Sequence, residues 1–386
     1  MLDKNKIYNE DCLGGLKKID DGCVDVLVSD PPYGISFLGK DWDKSLPSID
    51  VWKECYRVMR PGAFAFIMSS ARQDVLYRMI QNLESTGFQT NFTSIYWAYK
   101  TGMPHFTDIS TAVDNKLGIE RPRNVPFQAS SKLHGTSKQK EKAKSKEGYF
   151  VQSKDPISLE AKNLSGSYAG FQPKPSLEII IVAMTPLAEK TYVDQALSNN
   201  KGVTWLDQAK IRDNADGKLK FPSNLLVGGE CIGTHSSQYS LDSWFEEKFG
   251  KIPQKEISSY PFIFIPKPDL KEKREGIDES LGIMSDEEWH PTVKPIQLMS
   301  FLIALGSMHG DTVLDPYMGS GTTAVASVIT GREFIGFELS DKYADIGNKR
   351  VEYMRNRYGV LYSHNQKEHI LESANKKDPG LFGEDV

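Results

Sequence analysis

The chain has 386 residues, of which 39% are hydrophobic and 25% charged, and its formal net charge is −4. This composition excludes a disordered chain and predicts about two domains, or one large domain with an insertion. Because no apolar run approaches the length of a membrane span and no secretion signal opens the chain, we expect a cytoplasmic protein without membrane contact. Four scattered cysteines predict neither disulfides nor a metal site. The negative charge argues against a globally basic nucleic-acid surface but leaves a local basic face open.

The first part of the chain predicts alternating strands and helices. The predicted elements are the strand Cys23–Ser29, the helix Ser48–Met59, which ends before Pro61-Gly62, the strand Ala63–Met68, the helix Arg72–Leu83 and the strand Thr90–Tyr99. This order is typical of a mostly parallel sheet covered by helices.

The middle of the chain has a different composition. Thr101–Lys174 is rich in Lys, Ser, Gly, Pro and Asn, which predicts a long, flexible loop or insertion. Further strands are predicted at Leu177–Met184 and Phe262–Pro266. Regular elements return near Trp289. They are the helix Pro295–Leu305, the strand Thr312–Pro316, the helix Thr322–Thr330, the strand Glu333–Leu339 and a last helix from Ser340 to about Arg357.

The first motif, Asp30-Pro31-Pro32-Tyr33, follows a predicted buried strand. A rigid surface turn is one interpretation, but ligands of open α/β sheets bind at the carboxyl ends of strands. The exocyclic nitrogen of an aminopurine is a poor nucleophile because its lone pair is delocalised. The Asp30 carboxylate and the Pro31 carbonyl can accept hydrogen bonds from its two N–H groups. Pro32 has no amide hydrogen that would compete for these acceptors. Since Tyr33 offers a face for stacking a base, we predict that these four residues are catalytic.

The second motif, L-D-P-Y-M-G-S-G-T-T over residues 314–323, predicts a strand, a glycine turn and a helix N-terminus. It lacks both the full dinucleotide fingerprint and the lysine of a phosphate-binding loop. Glycines allow a ligand close to the backbone, and the helix N-terminus favours a carboxylate. Glu338 ends the next strand, where an acidic residue can hold ribose hydroxyls. A nucleoside that carries an amino acid, S-adenosylmethionine, meets both demands.

Two further motifs are weaker evidence for a binding site. In His290-Pro-Thr292-Val-Lys294-Pro295, His290 has no partner at metal-ligand spacing. The motif is either a simple helix entry or a source of hydrogen bonds from Thr292 and Lys294 to the carboxylate end of the cofactor. Asn9-Glu-Asp11-Cys12 is either a plain turn or a further part of the site, because it precedes the first predicted strand.

With these four motifs in this order, the chain resembles DNA amino-methyltransferases of the β arrangement, in which the D-P-P-Y half comes first and the cofactor half last. The resemblance is specific over residues 5–110 and 286–357. It implies an α/β fold with a Rossmann-like sheet that depends on S-adenosylmethionine and is formed by residues 1–105 and 286–360. It also implies a target-recognition insertion at 106–285 and a flexible tail at 361–386.

The resemblance implies residue roles as well. Asp30, Pro31 and Tyr33 would hold a base flipped out of the duplex. The S-adenosylmethionine contacts would be Asp11 and Cys12 at the adenine, Glu338 at the ribose, Asp315, Gly319, Ser320, Gly321 and Thr322 at the methionine end, and His290, Thr292 and Lys294 closing over it.

D-P-P-Y is most associated with adenine and S-P-P-Y with the cytosine amine, so we expect site-specific N6 methylation of adenine in double-stranded DNA. Cytosine-N4 methylation by the same mechanism is the alternative, and a non-catalytic DNA-binding module is a remote one. RNA and protein amide substrates are weaker alternatives. Ring-carbon methylation requires an activated cysteine, typically after a proline, and no cysteine here follows a proline. A homodimer, a restriction endonuclease partner and a bacterial or phage source stay open.

Binding to DNA requires phosphate contacts despite the negative net charge. The candidates, called the lysine stretch below, are Lys132, Lys138, Lys140, Lys142, Lys144 and Lys146. The alternative for these residues is a solvated loop without a partner. Residues that contact bases are expected between Pro104 and Trp289.

Overall fold

The structure is a computed structural model that describes residues 2–35, 43–98, 107–122, 125–126, 150–151, 153, 155–170, 177–212, 218–221, 223–227 and 293–356. The chain forms two compact units, Gly102–Pro175 and the remainder. Over the described ranges, no helix is long and apolar enough to cross a membrane. In those same ranges, no cluster of acidic, His or Cys side chains could hold a metal ion. The lysine stretch, the strand predicted at Phe262–Pro266, His290 and Thr292 lie outside the described residues.

The helices and strands follow one another in the alternation that the sequence predicts. The strands are β1 Lys6–Asn9, β2 Val24–Ser29, β3 Met59–Ser70, β4 Ile95–Ala98, β5 Val125–Pro126, β6 Phe150–Val151, β7 Leu177–Met184, β8 Ile211–Arg212, β9 Leu219–Lys220, β10 Leu225–Val227, β11 Thr312–Asp315 and β12 Glu333–Glu338. The helices are α1 Cys12–Leu16, α2 Ile49–Val58, α3 Gln73–Ser85, α4 Ile109–Lys116, α5 Leu159–Asn163, α6 Tyr192–Asn199, α7 Ile296–Gly306, α8 Thr322–Ile329 and α9 over 341–356.

The larger unit is built on an eight-stranded sheet in the order β1-β12-β11-β2-β3-β7-β4-β10. In this order the first five strands are parallel to one another, whereas β7 runs antiparallel to both of its neighbours, β3 and β4. From β2 the chain continues outward to β3, and from β11 it continues in the other direction to β12. The carboxyl ends of β2 and β11 therefore flank a topological switch point, where such sheets bind ligands. The predicted α/β sheet formed by both ends of the chain is confirmed.

Helices cover both faces of this sheet. Side chains of β3 alternate, so that Phe64, Phe66 and Met68 join one core while Ala65 and Ile67 join the other. The first core contains the buried side chains of α7, α8 and α9, and the second contains those of α1, α2 and α3. This three-layer arrangement holds the ends of β2 and β11 on a rigid scaffold.

The start of β3 differs from the prediction. Pro61 and Gly62 were expected to separate a helix from a strand, but β3 begins before them. The pairing with β2 shifts register between Val24 and Val26, opposite this proline and glycine. An irregularity of this kind accommodates a residue without an amide hydrogen, which explains why the strand tolerates Pro61.

The range 106–285, expected to form the insertion, also contributes to the sheet. It contains β7, which lies between β3 and β4, and β10, which pairs with β4. The smaller compact unit, Gly102–Pro175, begins four residues before that range and covers only its first part. Its described residues include α4 and α5, where the composition predicted a long loop.

A buried ion pair organises the smaller unit. The Asp114 carboxylate accepts hydrogen bonds from Arg121 Nε at 2.7 Å and Ser158 Oγ at 2.6 Å, and the side chains of Asp114 and Arg121 are fully buried. Burial raises the pKa of Asp114, but the hydrogen bonds from Ser158, Ile157 and Arg121 outweigh it and lower the pKa overall. Since this core is polar, its helices lack the apolar periodicity by which sequence analysis finds them.

Candidate active site

The D-P-P-Y turn leaves β2 directly and is held by a carboxylate further along the chain. Asp43, which is buried, accepts hydrogen bonds from the amides of Tyr33 at 2.6 Å and Gly34 at 3.0 Å. Pro31 is buried and has no amide hydrogen to satisfy. Asp43 therefore fixes the turn that carries Asp30, a role that no local sequence motif indicated.

Both oxygens of Asp30 have partners. The Tyr33 hydroxyl donates to Asp30 Oδ1 at 2.7 Å, and the Lys294 ammonium forms an ion pair with Asp30 Oδ2. The same ammonium lies 5.7 Å from the centroid of the Tyr33 ring. Lys294 is only 8% exposed, and burial alone would lower its pKa. The charges of Asp30 and Glu178 outweigh burial and raise the pKa of Lys294 above its ordinary value, so the amine is protonated at neutral pH.

Glu178, like Asp43, is a residue of this site that sequence analysis missed. It lies near the start of β7, and its Oε2 is 3.5 Å from Lys294 Nζ and 3.4 Å from the Tyr33 hydroxyl. Its side chain is 15% exposed. The only local signal is a charged residue near the start of the otherwise apolar strand Leu177–Met184.

Asp315 ends β11 and joins the two halves of the site. Its carboxylate accepts hydrogen bonds from Ser29 Oγ at 2.7 Å, Thr323 Oγ1 at 2.6 Å and the Tyr317 amide at 3.0 Å. Burial raises the pKa of Asp315 to about 6, although the hydrogen bonds from Ser29 and Thr323 oppose this shift. Asp315 thus connects the end of β2 to the glycine turn from a buried position.

Glu338 closes the glycine turn from β12. Its side chain accepts hydrogen bonds from the Gly319 amide at 2.9 Å and the Ser340 amide at 2.8 Å. Burial raises the pKa of Glu338, and these amides oppose the shift. The Asn9 side-chain amide donates to the Glu338 carbonyl at 3.0 Å, which brings the N-terminal motif beside the turn.

The helix after the glycine turn begins without a side-chain cap. Gly321 is its N-cap residue, with φ of 84°, so no side chain accepts from the first-turn amides of α8. Arg350, buried in α9, donates to the Ser320 carbonyl at 2.7 Å and holds the turn from below. Thr322 begins α8 and is buried. Such an N-terminus can accept a carboxylate.

Asp11 and Cys12 lie at the start of α1. Asp11 caps that helix by accepting from the Gly14 amide at 3.2 Å, and Cys12 is buried. Burial raises the pKa of Cys12 to about 11, with Tyr317 opposing, and burial also raises the pKa values of Cys23 and Cys55. No cysteine of the described ranges is therefore an activated thiolate.

The structure brings most of the predicted residues to one edge of the sheet. Lys294 lies beside Asp30, whereas the resemblance implied contacts at the methionine end of the cofactor. The other described residues of the predicted site lie at or follow the carboxyl ends of β1, β12, β11 and β2, which lie side by side in the sheet. They are Asp30, Pro31, Pro32, Tyr33, Asp11, Cys12, Asp315, Gly319, Ser320, Gly321, Thr322 and Glu338.

Comparison with known proteins gives short, strong sequence matches. Over 70 residues the chain is 41% identical to the DNA adenine methyltransferase YhdJ of Escherichia coli strain K12, covering 18% of this chain and 24% of that protein. Over 69 residues it is 44% identical to the type II methyltransferase M2.DpnII of Streptococcus pneumoniae, covering 17% of this chain and 26% of that protein. The matches thus span about a quarter of the length of these curated relatives.

Solved structures match over nearly the whole chain at low identity. The crystal structure of the M1.HpyAVI–SAM complex covers 89% of this chain and 98% of its own, with 16% identity and a TM-score of 0.41. The cytosine-N4-specific PvuII DNA methyltransferase covers 92% of this chain and 90% of its own, with 13% identity and a TM-score of 0.44.

A family model described as DNA methylase matches residues 24–349. The matched range contains the D-P-P-Y turn, β7, the glycine turn and Glu338. The chain belongs to the DNA methylase family.

Proposed function

We propose that the chain is a site-specific DNA methyltransferase that transfers a methyl group from S-adenosylmethionine to N6 of a flipped adenine. The observation that carries the proposal is the meeting of Asp30 and Tyr33 with the glycine turn at the switch point, through the Ser29–Asp315 hydrogen bond of 2.7 Å. The D-P-P-Y form of the motif and the similarity to an adenine methyltransferase support adenine as the base.

The chain offers a partner for each part of S-adenosylmethionine. The uncapped N-terminus of α8 suits the carboxylate of the methionine end. Glu338 suits the ribose hydroxyls, because it ends the strand beside the glycine turn, where an acidic residue can hold them. Cys12 and the exposed Asp11, at the start of α1, would contact the adenine ring, as the resemblance implies. The surrounding glycine turn brings backbone rather than side chains to the cofactor.

Asp30, Pro31 and Tyr33 would orient the base. Extrusion of a base from the duplex costs a few kcal/mol, and stacking on Tyr33 offsets about 1–3 kcal/mol of it. The Asp30 carboxylate and the Pro31 carbonyl accept the two N–H bonds of the amine, which turns the nitrogen lone pair toward the methyl donor. When bound, S-adenosylmethionine would supply the methyl: the nitrogen–carbon bond forms, the carbon–sulfur bond breaks with its electron pair left on sulfur, and the positively charged nitrogen then releases one proton to water.

DNA contacts are proposed for the chain between the two halves of the site. The lysine stretch would neutralise backbone phosphates. The smaller unit, Gly102–Pro175, contains this stretch and would contribute to target recognition. A restriction endonuclease partner and a homodimer are not part of the proposal.

The test is transfer of labelled methyl from S-adenosylmethionine to unmethylated DNA, followed by digestion and identification of the nucleosides. The expected product is N6-methyladenine, and mapping its positions gives the target sequence. DNA already methylated by the enzyme is the control substrate and should accept no further label. N4-methylcytosine would overturn the choice of base, and bound cofactor without any transfer to DNA would overturn the proposed activity.

A further inference from the structure

The carboxylate proposed to hold the target amine already has partners. Lys294 occupies one oxygen of Asp30 and the Tyr33 hydroxyl occupies the other. An amine that donates to Asp30 competes with both, and the ammonium is the stronger competitor because it carries a full charge. If the amine displaced Lys294 and no other acceptor lay nearby, the buried ammonium would have no partner, which is strongly unfavourable.

Glu178 is placed to prevent this penalty. Its Oε2 lies 3.5 Å from Lys294 Nζ and 3.4 Å from the Tyr33 hydroxyl, so one carboxylate oxygen faces both groups that hold Asp30. Both distances exceed those to Asp30, which marks Glu178 as the second partner of each group. Small movements of two side chains would exchange one carboxylate for the other.

Burial makes the exchange electrostatically significant. The side chains of Lys294, Glu178 and Asp30 are 9%, 15% and 18% exposed, so solvent screens the three charges only in part. Glu178 belongs to β7, which is hydrogen-bonded to β3 and β4 on its two sides and cannot easily move. The backbone of Glu178 is therefore held in place, and the exchange requires movement of only the Lys294 and Tyr33 side chains.

We propose that Glu178 is a positioning residue that accepts the Lys294 ammonium and the Tyr33 hydroxyl when the target amine takes their place on Asp30. This inference rests on the proposed function. Lys294 stays protonated and paired throughout, first mainly with Asp30 and then mainly with Glu178. The exchange frees Asp30 for the base without leaving a buried charge alone.

The test measures how much the amine contributes to DNA binding. Duplexes carry either adenine or purine, which lacks the 6-amino group, at the mapped target position. Their affinities are compared in the presence of S-adenosylhomocysteine, so no methyl transfer is needed. The adenine-to-purine affinity ratio is then compared between variants. The cost of flipping each base is the same for every variant, so it cancels in this comparison.

We expect Glu178→Gln to lower the adenine-to-purine affinity ratio about tenfold, because a neutral amide holds the ammonium less well. Added to Lys294→Met, the same change should alter the ratio less than about twofold, since no ammonium remains to be moved. An unchanged ratio in Glu178→Gln alone would overturn the proposal. So would an equal loss in both backgrounds, because Glu178 would then act independently of Lys294.

Two further variants separate charge from packing. Glu178→Asp keeps the charge, and its ratio should stay within about threefold of wild type; a loss as large as that of Glu178→Gln would overturn the proposal. Glu333→Gln removes a carboxylate paired with Lys4 on the exposed surface and should leave the ratio unchanged. Urea unfolding checks that each variant is folded. Failure of the proposed function would appear separately, as absence of methyl transfer by the wild-type enzyme.

Discussion

Asp30 and Asp315 end adjacent parallel strands, yet their surroundings differ. Asp30 lies beside the Lys294 ammonium, whereas the hydrogen-bond donors described for Asp315 are neutral: Ser29, Thr323 and the Tyr317 amide. Burial without a cation raises the pKa of Asp315 to about 6. Asp315 thus holds the scaffold through neutral donors, whereas Asp30 carries an ion pair that a target amine would meet.

The raised pKa of Asp315 predicts a specific dependence of stability on pH. Its ordinary pKa is 3.8, so between about pH 4 and pH 6 the folded chain binds more protons at Asp315 than the unfolded chain does. Protonation of Asp315 therefore stabilises the folded chain fully below pH 4. This stabilisation, about 2–3 kcal/mol in the free energy of unfolding, is lost as the pH rises through 6.

Urea unfolding of the wild type and of Asp315→Asn at pH 4 and pH 7 measures this contribution. The difference in unfolding free energy between the two proteins should shift against the wild type as the pH rises. The Ser29 and Thr323 hydroxyls can rotate to accept from the new amide, so the variant should fold. A difference independent of pH would contradict the prediction.

Sequence analysis found candidate site residues that lie next to one another in a short continuous motif. Asp30 and Tyr33 share one turn, and Gly319 and Gly321 share another, so their neighbours along the chain identify them. Glu178 reaches the site from a separate strand, across a contact with Tyr33 that spans 145 positions of sequence. No local pattern encodes such a contact, since it exists only after β7 pairs between β3 and β4.

At the scale of elements, α8 and α9 approach each other where both lack side chains. A Cβ atom on Gly321 would lie 2.8 Å from the Gly347 Cα atom, closer than real side chains come. Gly321 also has a φ of 84°, which disfavours any other residue. The glycine of the predicted cofactor turn therefore also allows α8 to pack on α9.

Gly321→Ala and Gly310→Ala form a matched pair of substitutions. Both glycines have a φ of 84°, but a Cβ atom on Gly310 would meet nothing within 4 Å. We expect Gly310→Ala to cost about 1–3 kcal/mol from backbone strain alone. Gly321→Ala should cost at least about 1 kcal/mol more, from overpacking, and should also weaken S-adenosylmethionine binding. Urea unfolding and calorimetry measure the two effects, and equal losses in both variants would contradict the close approach.

Elements were predictable where periodicity was strong. The buried positions of α3, Val75, Met79 and Leu83, are spaced four residues apart, and α3 lies close to its predicted bounds. β1, with four residues, and α1, with five, are too short for a pattern and were missed. The pairing of β1 with β12 could not be inferred locally, because it joins the two ends of the sequence.

At the scale of the molecule, both halves of the site depend on one sheet assembled from distant segments. β2 and β3 carry the D-P-P-Y half, β11 and β12 carry the glycine turn, and β7 adds Glu178. The chain between these segments includes the lysine stretch, which is a locally basic segment in a protein of net charge −4. DNA contacts can therefore come from other residues than those that bind the cofactor and the base. Affinity for DNA and catalysis should therefore be separable.

Replacement of all six residues of the lysine stretch by Gln should weaken DNA binding and flatten its dependence on salt. Each lost phosphate contact should reduce the slope of log affinity against log salt by about 0.9. S-adenosylmethionine affinity should not change. Replacement of Lys53 and Lys349, which pair with Asp50 and Asp345 on the surface, is the control and should leave the slope unchanged. An unchanged slope in the six-residue variant would mean that the stretch is solvated.

In the proposed mechanism, Asp30 orients the amine while separate residues bind the cofactor. The most direct measurement compares wild type and Asp30→Ala for S-adenosylmethionine binding by calorimetry and for methyl transfer to DNA. We expect similar cofactor affinity in both proteins, N6-methyladenine from the wild type, and a rate at least about 100-fold lower in the variant. Retained turnover in Asp30→Ala would contradict it.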